Sequence, residues 1–338
     1  MRQECLAYYG MTIDDPTVKL PMSAFEVLAV SKLSPLYVAH LEGAFTLLDR
    51  LHETDPAAFA AAAPRIRAIA ASGESKVPAS LIERLPALEL ISVMGVGYDG
   101  VDVAAAKARK VMVTHTPDVL NDDVADLAIG LMLCAARQLP AADRYVREGR
   151  WAQQGPMPLQ RKMSGARLGI VGMGRIGQAI ATRATAFGMQ IAYTARSAKP
   201  ALPYRYLPDA AALAAEVDFL VVITPGGAGT RKLIDARVLQ ALGSKGILVN
   251  VARGSVVDEA ALIDALEKGV IAGAGLDVFE DEPNVPERLR ALPHVVLAPH
   301  IGSATAATRQ AMADLAFGNL REHFAGRSLM TPVPECRT

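Results

Sequence analysis

The run Gly172-Met173-Gly174-Arg175-Ile176-Gly177 constrains this chain more than any other feature. It follows a short apolar segment, 168–171, and opens an amphipathic stretch, 178–187. A strand, a glycine turn and a helix in that order make a cradle for a pyrophosphate. The first glycine permits a tight turn, the second lets backbone approach the phosphates, and the third lets helix and strand pack closely. The helix N-terminus adds free N–H groups and the positive end of its dipole. A glycine turn alone is weak evidence. Flanked here by strand, helix and next strand, it indicates a dinucleotide site, with Arg175 and Ile176 inside the turn.

The end of the next strand, 190–194, bears on the kind of dinucleotide. An NAD site normally carries an acidic residue there, bonded to the ribose 2′-hydroxyl. Thr194 stands in that place, followed by Arg196 and Ser197. A carboxylate would repel a 2′-phosphate, whereas Arg and Ser can bind one. The expectation is NADP(H) preferred, with NAD(H) possible. The plainer alternative is that Arg196 solvates its loop or stacks on adenine.

The chain has 338 residues, too many for one ordinary core, so two domains are expected. Short apolar runs alternate with longer amphipathic stretches. The early runs are 26–30, 45–48, 66–70, 88–93 and 111–113, with helical segments such as 35–40 and 56–63 between them. Near-continuous apolar strands separated by helices predict a parallel sheet covered on both faces. A long segment, 122–139, repeats apolar residues at helical spacing and is read as ending at Pro140; a polar arm, 144–162, follows. Six further strands, 167–171, 190–194, 219–223, 247–251, 272–276 and 295–298, predict a doubly wound sheet. A last helix is expected over 304–324.

Lys+Arg and Asp+Glu both number 35, and the net charge is zero. No basic field points to nucleic acid or to an anionic membrane. No uncharged apolar run reaches the roughly 18–20 residues of a membrane span. Met1, Arg2 and Glu4 open the chain without an apolar h-region, so no secretory signal is read and a cytoplasmic location is expected. Cys5, Cys134 and Cys336 form no CxxC pair, so neither zinc nor a disulfide framework is indicated, and no metal is expected. Cys134 reads as core packing rather than as a catalytic thiol.

Three later segments leave strand ends: Val249-Asn250-Val251-Ala252-Arg253-Gly254, Leu276 to Pro283, and Ala298 to Ser303. In an open α/β sheet, ligands bind at that edge. On these residues the chain resembles the D-isomer-specific 2-hydroxyacid dehydrogenase family, and within it the glyoxylate/hydroxypyruvate reductases. The resemblance covers nearly the whole chain, most densely 88–303. It implies Arg253, Glu282 and His300 as a catalytic trio. It also implies that the loop Val93-Met94-Gly95-Val96-Gly97-Tyr98-Asp99, through Val96 and Gly97, holds a substrate carboxylate by backbone N–H groups.

The chemistry suits those roles. A 2-keto acid presents a carboxylate beside a carbonyl. Arg253 offers a planar fork of donors that can bind both oxygens. His300 can protonate the developing alkoxide, since imidazole titrates near neutrality, and Glu282 would favour its protonated form. Singly, each residue could be structural. The other histidines, among them His52 and His115, read as structural or surface groups. By the same resemblance Val124, Thr224, Pro225, Thr230 (read as opening the next helix), Val251, His300 and Asp277 meet the cofactor, Asp277 through the nicotinamide carboxamide. Trp151, the only tryptophan, lies on the arm that in related reductases crosses to a partner subunit. There it would help line the neighbour's substrate pocket in a homodimer, or simply pack in the interface.

The resemblance implies two doubly wound α/β domains: a flavodoxin-like substrate domain, 1–115 with 304–338, and a Rossmann cofactor domain, 116–303. It implies NADPH-preferring reduction of small 2-keto acids to D-2-hydroxy acids. Alternatives are another 2-keto acid, of pyruvate or phenylpyruvate type, or a dinucleotide-sensing, corepressor-like module without catalysis.

Overall fold

The computed structural model describes residues 25–337; Cys5 lies outside them. They divide into two compact units, one running to Leu120 and resuming at Thr305, the other spanning Asn121–Ala304. The helices that bear on function are α1 (Pro35–Glu42), α2 (Asn121–Arg137), α3 (Leu139–Arg147), α4 (Arg175–Ala186) and α5 (Ala306–Phe324).

The first unit holds β1 (Glu26–Ala29), β2 (Thr46–Asp49), β3 (Ile66–Ser72), β4 (Leu90–Met94) and β5 (Met112–Thr114). They pair in parallel in the order β2-β1-β3-β4-β5, which is flavodoxin-like. Interior strand β4 is buried at every position, as a strand covered on both faces must be. Its one hydroxyl, Ser92, donates to the Ala316 carbonyl of α5 at 2.9 Å. After α5 the chain turns back along β5, and Asn319 makes that return specific. The fully buried Asn319 accepts from the Met330 and Thr331 N–H groups at 3.1 and 3.0 Å. Its amide donates to Leu315 O and Thr331 Oγ1. All four hydrogen-bonding capacities of one amide are used.

The second unit holds β6 (Arg167–Val171), β7 (Gln190–Thr194), β8 (Arg205–Tyr206), β9 (Phe219–Val222), β10 (Ile247–Asn250), β11 (Gly273–Leu276) and β12 (Val295–Leu297). Their order is β12-β11-β10-β9-β6-β7-β8. The sheet reverses between β6 and β9, the topological switch point of a Rossmann fold. Helices α2 and α4 pack beside it, and Arg183 of α4 pairs with Asp122 and Asp126 of α2. At β11 the glycine spacing has a direct cause. A Cβ on Gly275 would stand 3.0 Å from the Leu131 Cβ of α2, so helix and strand touch at backbone distance.

Four expectations are corrected. The sheet has seven strands rather than six, because β8 is two residues without an apolar run. Pro140 does not end helical structure. Gln138 does so, in the left-handed region at φ 48°, and Pro140 sits in the first turn of α3, where its missing N–H costs nothing. Thr230 lies in a turn; the next helix starts at Ala236, capped by the Asp235 carboxylate on Val238 N. Cys134 is half-buried rather than core. No single helix among the described residues is long and apolar enough to cross a membrane.

Replacing Asn319 by Ala leaves the buried Thr331 N–H and the half-buried Met330 N–H without acceptors. A loss of roughly 2–4 kcal/mol is expected, read as a lower urea midpoint for this unit.

Candidate active site

The glycine turn opens at Val171. Gly172 has φ +106°, and a Cβ there would stand 2.5 Å from the Ile223 carbonyl, so only glycine fits. Its N–H donates to Thr194 O at 2.9 Å, tying the turn to the end of β7. Gly177, in the first turn of α4, is equally confined: its Cβ would meet Gly172 O at 2.2 Å. Gly174 is the opposite case. It caps α4 in an extended conformation, and a Cβ there meets no atom within 4 Å. Two glycines thus let protein meet protein, while the third leaves space at a helix N-terminus, where a pyrophosphate fits. Arg175 is exposed, and Ile176 is half-buried.

At the end of β7 Thr194 is buried, whereas Arg196 and Ser197 are exposed on the following loop. After β9, Thr224 is half-buried and Pro225 exposed. Thr230 closes this loop by donating its hydroxyl to Pro225 O at 2.7 Å.

The loop after β10 carries Arg253, and Asn250 shapes it. The buried Asn250 accepts from Ala252 N and donates to Arg253 O, both at 3.1 Å. Val251 is buried and bonded to Val222 O. Half-buried Arg253 donates Nη1–H to Ala252 O at 2.8 Å. Gly254 then allows direct contact with the next loop, since its Cβ would fall 1.9 Å from the Phe279 carbonyl carbon. Glu282 lies on that loop, one oxygen accepting from Phe279 N at 3.0 Å and the other 2.7 Å from His300 Nδ1. Burial works against the Glu282 carboxylate. The His300 and Phe279 hydrogen bonds and the charges of His300 and Arg253 outweigh it, holding the carboxyl below its usual range.

His300 follows β12 and sits in the left-handed region at φ 52°. Asp277, buried at the end of β11, holds it there. The Asp277 carbonyl accepts from His300 N at 2.9 Å, and its carboxylate accepts from Ile301 N and Gly302 N at 2.7 and 2.8 Å. Burial pushes the Asp277 carboxyl up, and these two N–H groups and His300 only partly oppose it. Both oxygens thus serve the His300 loop, one N–H on each. Each keeps a lone pair, the capacity a carboxamide N–H needs. Val124 of α2 is buried against Gly302 of this loop.

The structure therefore brings Arg253, Glu282, His300 and Asp277 together at neighbouring strand ends, with Val124 of α2 packed against the His300 loop. Val96 and Gly97 are half-buried on the loop after β4 of the other unit. Trp151 is 61% exposed on the short helix Arg150–Gln154. Sequence reasoning did not single out Asn250 or Gly254. Asn250 carried a signal, an Asn bonding its own backbone two residues on. Gly254 carried none, since its neighbour lies 25 positions away.

Residues 129–302 match the model of the NAD-binding domain of the D-isomer specific 2-hydroxyacid dehydrogenases. The chain is 52% identical to a glyoxylate/hydroxypyruvate reductase A of Arabidopsis thaliana over 79% of this chain and 85% of that one. It is 47% identical to a hydroxyphenylpyruvate reductase of Plectranthus scutellarioides over 92% of this chain and all of the other. Among solved structures it is similar to an NADPH-dependent glyoxylate/hydroxypyruvate reductase of Sinorhizobium meliloti in complex with NADP and malonate. That likeness has a TM-score of 0.88 and 47% identity, covering 93% of this chain and 98% of that one.

The three glycines separate space from packing. Gly174→Val is expected to raise the Kd for NADPH about tenfold or more with an unchanged unfolding midpoint. Gly177→Val is expected to lower the midpoint itself, because its side chain would enter Gly172 backbone. Dye-monitored melting and fluorescence titration read the two effects apart.

Proposed function

The chain belongs to the D-isomer-specific 2-hydroxyacid dehydrogenase family, and from that premise we propose that it reduces glyoxylate, hydroxypyruvate and similar small 2-keto acids to D-2-hydroxy acids, with NADPH preferred over NADH. It is an NAD(P)-dependent oxidoreductase of this family. The observation that carries the reading is the 2.7 Å contact of His300 Nδ1 with Glu282, joined through Gly254 to the loop of Arg253.

A bound nicotinamide supplies the hydride. Gly172, Gly174, Arg175, Ile176 and Gly177 would hold its pyrophosphate, and Arg196 and Ser197 the 2′-phosphate. Thr194, Thr224, Pro225, Thr230, Val251, Val124 and Asp277 would line the rest of that cofactor site. Arg253 binds the substrate carboxylate and carbonyl oxygens and so orients the keto carbon. Because Nδ1 of His300 faces Glu282, Nε2 is the atom that gives the proton to the carbonyl oxygen. The ionised Glu282 favours the imidazolium that must form before this transfer. In the reverse direction Nε2 takes the hydroxyl proton.

We assign substrate binding to segments 1–115 and 304–338 and cofactor binding to segment 116–303. Val96 and Gly97 offer backbone N–H groups to the carboxylate. We further propose a homodimer. Leu139, Val146, Trp151 and Leu159 are exposed large apolar residues on one connected arm, a surface suited to a second copy. Trp151 would then line the partner's substrate pocket. Reducing conditions in the cytoplasm suit the free thiols of Cys134 and Cys336. Reduction of an aromatic 2-keto acid is the second reading, favoured by the full-length likeness to a hydroxyphenylpyruvate reductase.

A panel of glyoxylate, hydroxypyruvate, pyruvate and hydroxyphenylpyruvate, followed by NADPH absorbance, tests the assignment. The first two are expected to give the highest kcat/KM; no turnover with any of the four would sink it. His300→Ala is expected to lower kcat by roughly 10²–10⁴-fold while NADPH still binds. Arg196→Ala is expected to raise the KM for NADPH about tenfold and leave that for NADH unchanged. Equal effects on the two cofactors would remove Arg196 from 2′-phosphate recognition.

A further inference from the structure

The geometry points to His115 as a positioning residue for substrate binding, its side chain aiming the Gly97 N–H at the substrate carboxylate; this rests on the proposed role of the Val96–Gly97 loop.

A peptide unit is planar and trans, so its C=O and N–H point in opposite directions. Whatever holds the carbonyl of residue i therefore aims the N–H of residue i+1. The loop after β4 has two such holds, from consecutive residues. Gly95 O accepts from Thr116 N at 2.8 Å, which aims the Val96 N–H. Val96 O lies 3.0 Å from His115 Nδ1, which aims the Gly97 N–H. A carbonyl only accepts, so Nδ1 carries the proton. Among the described residues neither the Val96 nor the Gly97 N–H donates to a protein acceptor.

The surroundings make His115 a rigid clamp. Its ring is buried and meets the Tyr98 ring edge-on, with centroids 5.3 Å apart. Its backbone N–H donates to Thr331 O at 3.2 Å, and its carbonyl accepts from Thr331 Oγ1 at 2.6 Å. Thr331 is itself held by Asn319. Tyr98 donates its hydroxyl to Glu335 at 3.0 Å. Burial, with the Glu335 acceptor, pushes the Tyr98 phenol up to about 12, so it stays a donor. The loop is pinned at both ends as well. A Cβ on Gly95 would stand 2.7 Å from Gly73 Cα, and one on Gly100 2.2 Å from Ser75 O. The Val96–Gly97 peptide between them adjoins a glycine, the least restricted residue, so its plane depends on what holds its carbonyl. The imidazole supplies the missing restraint. Thr116 acts through its main chain, so His115 is the clamp that a side-chain substitution can remove.

The test compares His115→Phe, which keeps a ring against Tyr98 and loses the donor, with His115→Asn, which keeps a donor. The Phe variant is expected to raise the KM for glyoxylate about tenfold, with kcat within about twofold and the Kd for NADPH unchanged. The Asn variant is expected to stay within about threefold of the wild-type KM. Should the Phe variant not fold, His115→Leu against His115→Asn repeats the contrast. Wild-type KM in the donor-less variants would overturn the inference, as would a KM rise that the Asn variant fails to rescue. Wild-type enzyme that turns over no 2-keto acid would instead overturn the proposed function.

Discussion

One buried carboxylate, Asp277, organises the loop that carries His300 in the second unit. Asp277 accepts the Ile301 and Gly302 N–H groups and, through its carbonyl, the N–H of His300. Without those bonds a left-handed His300 would cost roughly 1–2 kcal/mol for nothing. Two charge-assisted bonds, at about 1.5–3 kcal/mol each, outweigh that cost. They do not fully replace the water Asp277 gives up, because burial still pushes its carboxyl above the usual range. The site therefore carries a desolvated carboxylate and a strained backbone together. Strain of this kind persists only where surrounding contacts over-determine the geometry. Here the result is an imidazole held with Nδ1 turned to Glu282.

Ionic pairing at the surface does not achieve this. Arg147 with Asp143, or Arg288 with Asp264 and Glu267, are exposed pairs that shift one another's titration and contribute little to stability. Glu282 and His300 are only about a quarter exposed, so solvent screens their contact less. Burial taxes the carboxylate, and its neighbours repay more than the tax. The same reasoning explains Gly254. A side chain there would separate the Arg253 and Glu282 loops and weaken the field of Arg253 on Glu282.

Most of the sheet architecture was legible, because buried parallel strands announce themselves as apolar runs. The glycine turn was legible because steric demands on Gly172 and Gly177 act within a few residues. What escaped notice was either too short or too distant. β8, Arg205–Tyr206, has no pattern to read. The break at Gln138 was displaced onto Pro140, since proline reads as a stop although it is tolerated in a first turn. Gly254 and His115 act on partners 25 and 19 positions away, and no periodicity connects them. The Asp277 position drew attention, but its bonding to the His300 loop is a tertiary fact.

The two units employ one device in different forms. Backbone N–H groups are numerous and rigid donors, yet each points only where its peptide plane allows. In the second unit, helix α4 sets the planes of its first turn, and Gly174 keeps the space before them clear. In the first unit no helix follows the loop after β4 at once, so each peptide needs its own restraint. Thr116 and His115 restrain adjacent carbonyls from behind. Both residues follow directly on β5, whose place is fixed by the sheet and by the returning segment at Thr331. A glycine at 97 is then an advantage rather than a weakness. In the proposed carboxylate role it leaves room for the ligand, while a side chain 18 residues on supplies the order that glycine lacks.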